Sequence, residues 1–252
     1  KMSNGVVTYR GPSMLDNKPI ICVITGLKVK SANIKTGGEL LQSWILREDI
    51  DPRLANKIGE DYSICGNCKL RGKPIPIDDP RKLAEKRPCY VNIYQAPLNV
   101  WNSYHKGNYE VLQGHSSLVD VGRGRKIRLG SYGDGSAVPS WHWDSLLQES
   151  KGRTGYTHQH TISSAHTRYD LCMKSADTLE EAEDAWAKGV RTFRVVNSIQ
   201  DVIKAKEILC PASEEMGRLT TCDNCMLCSG SGIKAKSIAI VGHGNGAKYF
   251  AA

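Results

Sequence analysis

Residues 171–196 decide the fold. They read Leu171-Cys172-Met173-Lys174-Ser175, then Thr178-Leu179-Glu180-Glu181-Ala182-Glu183, then Gly189, then Arg191-Thr192-Phe193-Arg194-Val195-Val196. The first and last pieces have the length and β-branched or apolar content of strands. Between them, Thr178 is a helix N-cap and the glutamates suit the positive end of the helix that follows. Gly189 stops that helix. A strand, a crossover helix and a second strand imply parallel neighbours joined in the right-handed sense.

The same alternation extends both ways. Upstream, strands are predicted at 89–94, 126–130 and 155–158, with helices at 97–104 and 139–149. Downstream, Ser198 is predicted to begin a helix reaching Ile208, and residues 237–241 close the series. Residues 20–25 read as a buried strand, while 37–46 fit either a short helix or a strand. Residues 51–88 are rich in proline, glycine and charge, and predict a long loop needing a function or a staple. About six such steps predict one α/β domain over residues 1–252, with a parallel, barrel-like sheet of partial TIM type. Cysteine-rich segments interrupt it at 60–90 and 208–232.

Chemistry in such a fold sits at the C-terminal strand ends. The groups predicted there are Asn92, Tyr132, Asp134, His158, Lys174, Arg194 and His243. Asp134, His158 and Lys174 are the expected catalytic side chains. Tyr132, Asn92 and Arg194 are the expected cofactor contacts. His158 and His160 would share a side of an extended segment, where an imidazole pair can bind a metal. The glycines at 242–246 imitate a dinucleotide fingerprint but lack the helix it requires, so a terminal turn is predicted. Trp141, His142 and Trp143 read as helix core in preference to base-stacking platforms.

The chain has 252 residues, 40% hydrophobic and 24% charged, which is ordinary for a globular protein. No apolar run is long enough to span a bilayer, and the first twenty residues carry no secretory apolar stretch. With Met2 as the natural start, the expected location is the cytoplasm. The net charge of +8 favours a nucleotide or nucleic-acid partner. It is densest at 123–128 and 81–87. Oligomeric state has no signature.

Seven of the nine cysteines form two groups, and in a reducing compartment such groups read as metal ligands. Cys210, Cys222, Cys225 and Cys228 follow C-x11-C-x2-C-x2-C. Four soft thiolates in that spacing suit an iron–sulfur cluster or zinc. Cys65, Cys68 and Cys89 follow C-x2-C-x20-C. Three ligands leave a fourth position for a histidine on zinc, or an open iron on a 4Fe–4S cluster. Cys22 is a further ligand candidate, although a lone buried cysteine is more often a small hydrophobe.

A three-cysteine site leading into a strand, successive βα units and a four-cysteine group near the C-terminus resemble the radical S-adenosylmethionine superfamily. The resemblance is architectural and covers roughly residues 60–250; the family's C-x3-C-x2-C spacing is replaced by C-x2-C-x20-C. It implies one or two 4Fe–4S clusters, with S-adenosylmethionine at the three-cysteine site. The stretches at 64–68, 89–92, 130–134 and 210–213 also resemble uncharacterised cysteine-rich bacteriophage proteins, which implies a phage-infected or bacterial cell. The leading expectation is an iron–sulfur enzyme acting on a nucleotide or nucleic acid, with radical-type chemistry. The alternative is a zinc-stabilised nucleic-acid-binding protein without catalysis.

Overall fold

The computed structural model describes residues 3–30, 33–159, 168–244 and 246–250. The chain opens with an antiparallel meander of β1 (Gly5–Pro12), β2 (Pro19–Thr25) and β3 (Leu40–Arg47). Nearly every residue of β2 and β3 is buried, so both faces of these strands are covered. The ambiguous segment at 37–46 is therefore strand, held against β2 from Gln42 to Arg47.

The segment predicted as a long loop contains two short helices, α1 (Pro52–Ile58) and α2 (Tyr62–Cys65). Asp51 caps α1 by accepting from the Arg53 amide, and Pro52 begins it. Then come α3 (Ala96–His105), the short β4 (Glu110–Val111) and α4 (His115–Gly122). The alternating region follows: β5 (Lys126–Tyr132), α5 (Ser140–Leu147), β6 (Gly152–Thr157), β7 (Met173–Ala176), α6 (Leu179–Ala187), β8 (Thr192–Val196), β9 (Glu207–Leu209), α7 (Cys222–Cys225) and β10 (Ser237–Val241). Thr178 caps α6 as predicted, its side chain accepting from the Glu181 amide.

The strands form one ten-stranded sheet in the order β4-β1-β2-β3-β5-β6-β7-β8-β10-β9 among the described residues. Among the described strand pairs, only β1–β2 and β2–β3 are antiparallel. The fold is thus mixed α/β with a mostly parallel sheet, as the alternation predicts. The sheet has β4 and β9 at its edges, and closure into a barrel is not seen among the described residues. No described helix is long and apolar enough to cross a membrane.

Two predicted elements are corrected. Residues 89–94 are not a strand, because their backbone is satisfied otherwise. The Cys89 amide donates to the Leu70 carbonyl, and the Arg87 guanidinium donates to the Cys89 and Val91 carbonyls. Residues 198–208 are not a helix. Ser198 and Asp201 close a capping box around one 3-10 turn, and the chain then extends into β9. Buried Glu207 directs this by accepting from the Ile203 amide and pairing with Arg194.

The larger apolar cluster lies around β1, β2, β3 and β5, with Ile20, Ile24, Ile45, Leu129 and Trp143 in it. A smaller one lies against β7, β8 and β10 and has Met173, Cys210, Ala212, Ile238 and Ile240 at its centre.

Candidate metal centres around one cavity

In a strand, alternate residues share a face. On β5, Ile127 and Leu129 are fully buried in the larger core. Arg128 therefore takes the opposite face, and past a bulge at Gly130 (φ +77°) Ser131 and Tyr132 also border the space on that side. There they join Tyr156 of β6, Ser175 of β7, Phe193 and Val195 of β8 and Ile240 of β10 around a cavity of about 380 Å³. That volume suits a small-molecule ligand. Cys65, Cys68, Cys89 and Cys222 line the same cavity, so both cysteine groups border it.

Cys65 ends α2, and Gly66 follows with φ of +53°. A Cβ on Gly66 would sit 2.3 Å from the Gln159 side chain, so glycine is required there twice over. The Cys68 amide donates to the Cys65 carbonyl and closes the knuckle. Below it, buried Asp61 pairs with Arg71 at 2.6 Å, and Arg71 also donates to the Gly59 and Gly66 carbonyls. The loop carrying these cysteines is therefore tied to α1 and α2 by a buried ion pair.

His158 follows β6 and reaches the same group. Its imidazole hydrogen-bonds the Cys68 sulfur, and its Nε2 lies 3.3 Å from the Asp177 carboxylate at the end of β7. Burial alone would lower the His158 pKa. Cys68 and Asp177 outweigh it and hold the group well above the usual range. Burial pushes Cys65 up, aided by Asp61 and the neighbouring thiols Cys68 and Cys89.

Asp134 is placed as predicted, beyond the end of β5. Its carboxylate is buried and accepts from the Ser136 amide (2.9 Å), the His158 amide (2.8 Å), the Thr157 hydroxyl (3.1 Å) and Gln159 Nε2 (3.2 Å). Gln159 Nε2 donates onward to the Cys65 carbonyl at 2.9 Å. Asp134 thus positions the three-cysteine loop and His158 together; in this structure its oxygens are engaged with the protein itself.

The second group is assembled from three segments. The Cys210 amide donates to the Ala239 carbonyl of β10. Cys222 and Cys225 begin and end α7, whose Cys222 and Asp223 amides donate to the Lys35 and Thr36 carbonyls. The Cys228 carbonyl accepts from the Gly155 amide of β6. All four cysteines line a pocket of about 30 Å³ with Thr154, Tyr156, Phe193 and Ile238. Burial pushes the Cys228 thiol up to about 12, with Cys210, Cys222 and Cys225 adding to it. Thiols crowded in an apolar pocket keep their protons unless a cation compensates them.

Donor chemistry fits a metal in both groups, with soft thiols converging on one space each and an imidazole joining the first. Among the described residues, no three His, Cys, Asp or Glu side chains are already closed around a single-ion position.

The remaining predicted residues divide. Tyr132 is buried, lines the cavity, and its hydroxyl has no hydrogen-bond partner. His243 lies at the cavity's exposed rim, its ring 5.8 Å from that of Tyr90. Lys174 does not line the cavity, which Ser175, Ala176 and Asp177 of the same segment border; its charge acts on Asp184 of α6. Arg194 is likewise turned away by Phe193 and Val195, and forms a buried ion pair with Glu207 at 2.7 Å. Asn92 is exposed and accepts from the Tyr94 amide in a turn, away from any strand end. His160 lies outside the described residues. Cys22 is fully buried in β2, its thiol pushed up to about 12 by burial, and Cys172 packs in the same larger core.

Sequence reasoning missed Arg128. It stood in the basic run 123–128, read as charge favouring a nucleic-acid partner, although the alternation Ile127, Arg128, Leu129 already put it on the face opposite the core. The rest of that run is engaged within the chain: Arg123 with Asp120 and Glu149, Arg125 with the Val121 carbonyl, Lys126 with the Asp223 carbonyl. In the 81–87 run, Arg81 pairs with Asp79 and Glu85. Arg128 instead donates to the Tyr90 hydroxyl, stands 5.9 Å over the Tyr156 ring, and leaves its Nε unpartnered. Burial alone would lower its pKa, but Tyr90, Tyr156, Cys222 and Cys228 around it hold it above the usual value. No protein-family model, curated protein or solved structure compared with this chain matches it.

Proposed function

We propose that the chain is a two-centre iron–sulfur enzyme that acts on a nucleotide or nucleic-acid substrate lodged between its cysteine groups. The observation that carries this reading is that Cys65, Cys68, Cys89 and Cys222 all line one ligand-sized cavity. A metal serving only as a staple has no need to face such a space. Cys65, Cys68 and Cys89 would hold the first centre, and Cys210, Cys222, Cys225 and Cys228 the second. A cluster bound there supplies one-electron chemistry. The superfamily resemblance assigns S-adenosylmethionine to the first centre, and a barrel-like wrap of the parallel strands around the cavity belongs to the same reading. The chain's own part is positional: Asp134 and Gln159 fix the Cys65 loop, while the aromatic walls exclude water.

A second reading is favoured by one contact. His158 on Cys68 gives the first group three thiols and an imidazole, the donor set of structural zinc. The zinc-stabilised nucleic-acid-binding protein follows from that reading.

Absorbance, iron, sulfide and zinc analysis of anaerobically purified protein separates them. Broad visible absorbance with iron and sulfide is the expected result. Cys65→Ser/Cys68→Ser and Cys222→Ser/Cys225→Ser should each remove one centre's share. Colourless protein carrying stoichiometric zinc would reject the iron–sulfur reading.

A further inference from the structure

Two polar atoms on β5 lack partners although both are buried beside the cavity: Arg128 Nε and the Tyr132 hydroxyl. Buried polar groups are almost always paired, so two orphans on residues that line one cavity call for a ligand that pairs both. A bulge at Gly130, with φ of +77°, interrupts β5 between them, so that Arg128 and Tyr132 pair with Gln42 and Trp44, only two residues apart on β3. Gly130, which has no side chain, lies between them in the cavity lining.

The two ends differ in chemistry. Arg128 is a cation with no carboxylate partner among the described residues, held between the Tyr90 hydroxyl and the Tyr156 ring. Cys222 of the four-cysteine group lines the same cavity. Tyr132 is at the other end, close to Cys65 and Cys89. Tyr156 and Phe193, with rings 4.4 Å apart, supply an aromatic wall.

We propose that the cavity binds a small anionic nucleoside-like molecule that spans the bulge of β5, its phosphate or carboxylate on Arg128 and a hydrogen-bond acceptor on Tyr132. This deepens the two-centre reading by naming the ligand's class and direction. The anion points to the four-cysteine group and the neutral end to the three-cysteine group. A guanidinium presents its donors as a planar fork that matches either anion, and aromatic faces suit a planar base.

Calorimetric titration of anaerobically purified protein tests this with adenosine 5′-monophosphate, adenosine 5′-carboxylate and adenosine, with metal content measured on the same samples. At least one anion should bind roughly ten- to hundredfold tighter than adenosine, the range for a hydrogen bond to a charged group. The comparison of the two anions distinguishes phosphate from carboxylate. Arg128→Gln should bring the anion down to the affinity of adenosine and leave adenosine unchanged. Arg128→Lys should restore part of the loss. Tyr132→Phe should weaken anion and nucleoside by the same factor. Equal binding of anion and adenosine by the wild-type protein, or no binding of either anion, would overturn the proposal without needing a variant that folds. So would an Arg128→Gln protein that keeps its metal and its anion affinity. Metal-free protein that still discriminates would leave the anion site standing and remove the iron–sulfur reading alone.

Discussion

At the scale of single residues, Asp134 and Gly66 do the most to place the first cysteine group. Every partner of the Asp134 carboxylate is a donor: two backbone amides, a threonine hydroxyl and the Gln159 amide nitrogen. An amide in its place would turn an NH2 toward donors and leave a buried site unsatisfied. Asp134→Asn should therefore cost about 1–3 kcal/mol in a urea unfolding titration. It should also loosen metal at the three-cysteine group more than at the four-cysteine group. Unchanged stability would mean that the carboxylate is not the anchor described. Gly66→Ala adds a Cβ where Gln159 already lies and strains a left-handed residue. We expect a lower melting temperature together with metal loss at Cys65 and Cys68. Asp134 was legible in the sequence as the acid after a predicted strand. Its role as an internal acceptor was not, because Gln159 reaches it from a separate strand end.

At the scale of elements, α5 docks through His142, which is fully buried. The Thr8 hydroxyl donates to the Cys22 carbonyl, so His142 Nε2 donates to Thr8 at 2.9 Å, and Nδ1 is left buried without a partner. The neighbours are the rings of Tyr9, Trp141 and Trp143, none of them charged. Burial therefore holds the imidazole neutral, its pKa lowered from 6.5 to about 3. In the window between those values the unfolded chain takes up a proton that the folded chain refuses, so stability falls as pH falls. Between pH 7 and 5 this histidine should cost about 2 kcal/mol. His142→Leu should flatten the pH dependence of unfolding by that amount; an identical slope would reject the assignment. Elements whose pattern comes from local chemistry were legible: α5 and α6, and the strands from β5 to β8 and β10. Those decided by remote partners were not. Residues 89–94 have strand composition, but the Arg87 guanidinium occupies the carbonyls a neighbouring strand would need. Residues 198–208 have helix-compatible composition, but a buried Glu207–Arg194 pair draws them to the sheet edge. The meander of β1, β2 and β3 lies outside the alternation from which the fold was inferred.

At the scale of the whole molecule, the two apolar clusters are unequal, and the four-cysteine group belongs to the weaker one through Cys210, Cys222 and Cys228. The larger one is built of isoleucines, leucines, valines and Trp143 around β1, β2, β3 and β5. The smaller one has only Met173, Cys210, Ala212, Ile238 and Ile240 at its centre, with Cys222, Leu227 and Cys228 packed on it. So small an apolar centre commonly depends on a staple, and a thiol-bound metal would bridge the strands around it. Chelation under anaerobic conditions should therefore lower stability unevenly. Hydrogen exchange should rise first in residues 207–241 and 59–89, while the amides of β2 and β3 stay protected, because among the described residues Cys65 is the one proposed ligand packed on the larger core and it sits at that core's edge, only partly buried. The Cys222→Ser/Cys225→Ser protein should show the first of these losses alone, which separates the contributions of the two groups. Uniform loss of protection would mean that the sheet unfolds as one cooperative unit whatever its ligands hold. Unchanged exchange after complete metal removal would mean that the thiols pack as plain hydrophobes, and that the cavity between them owes nothing to a metal.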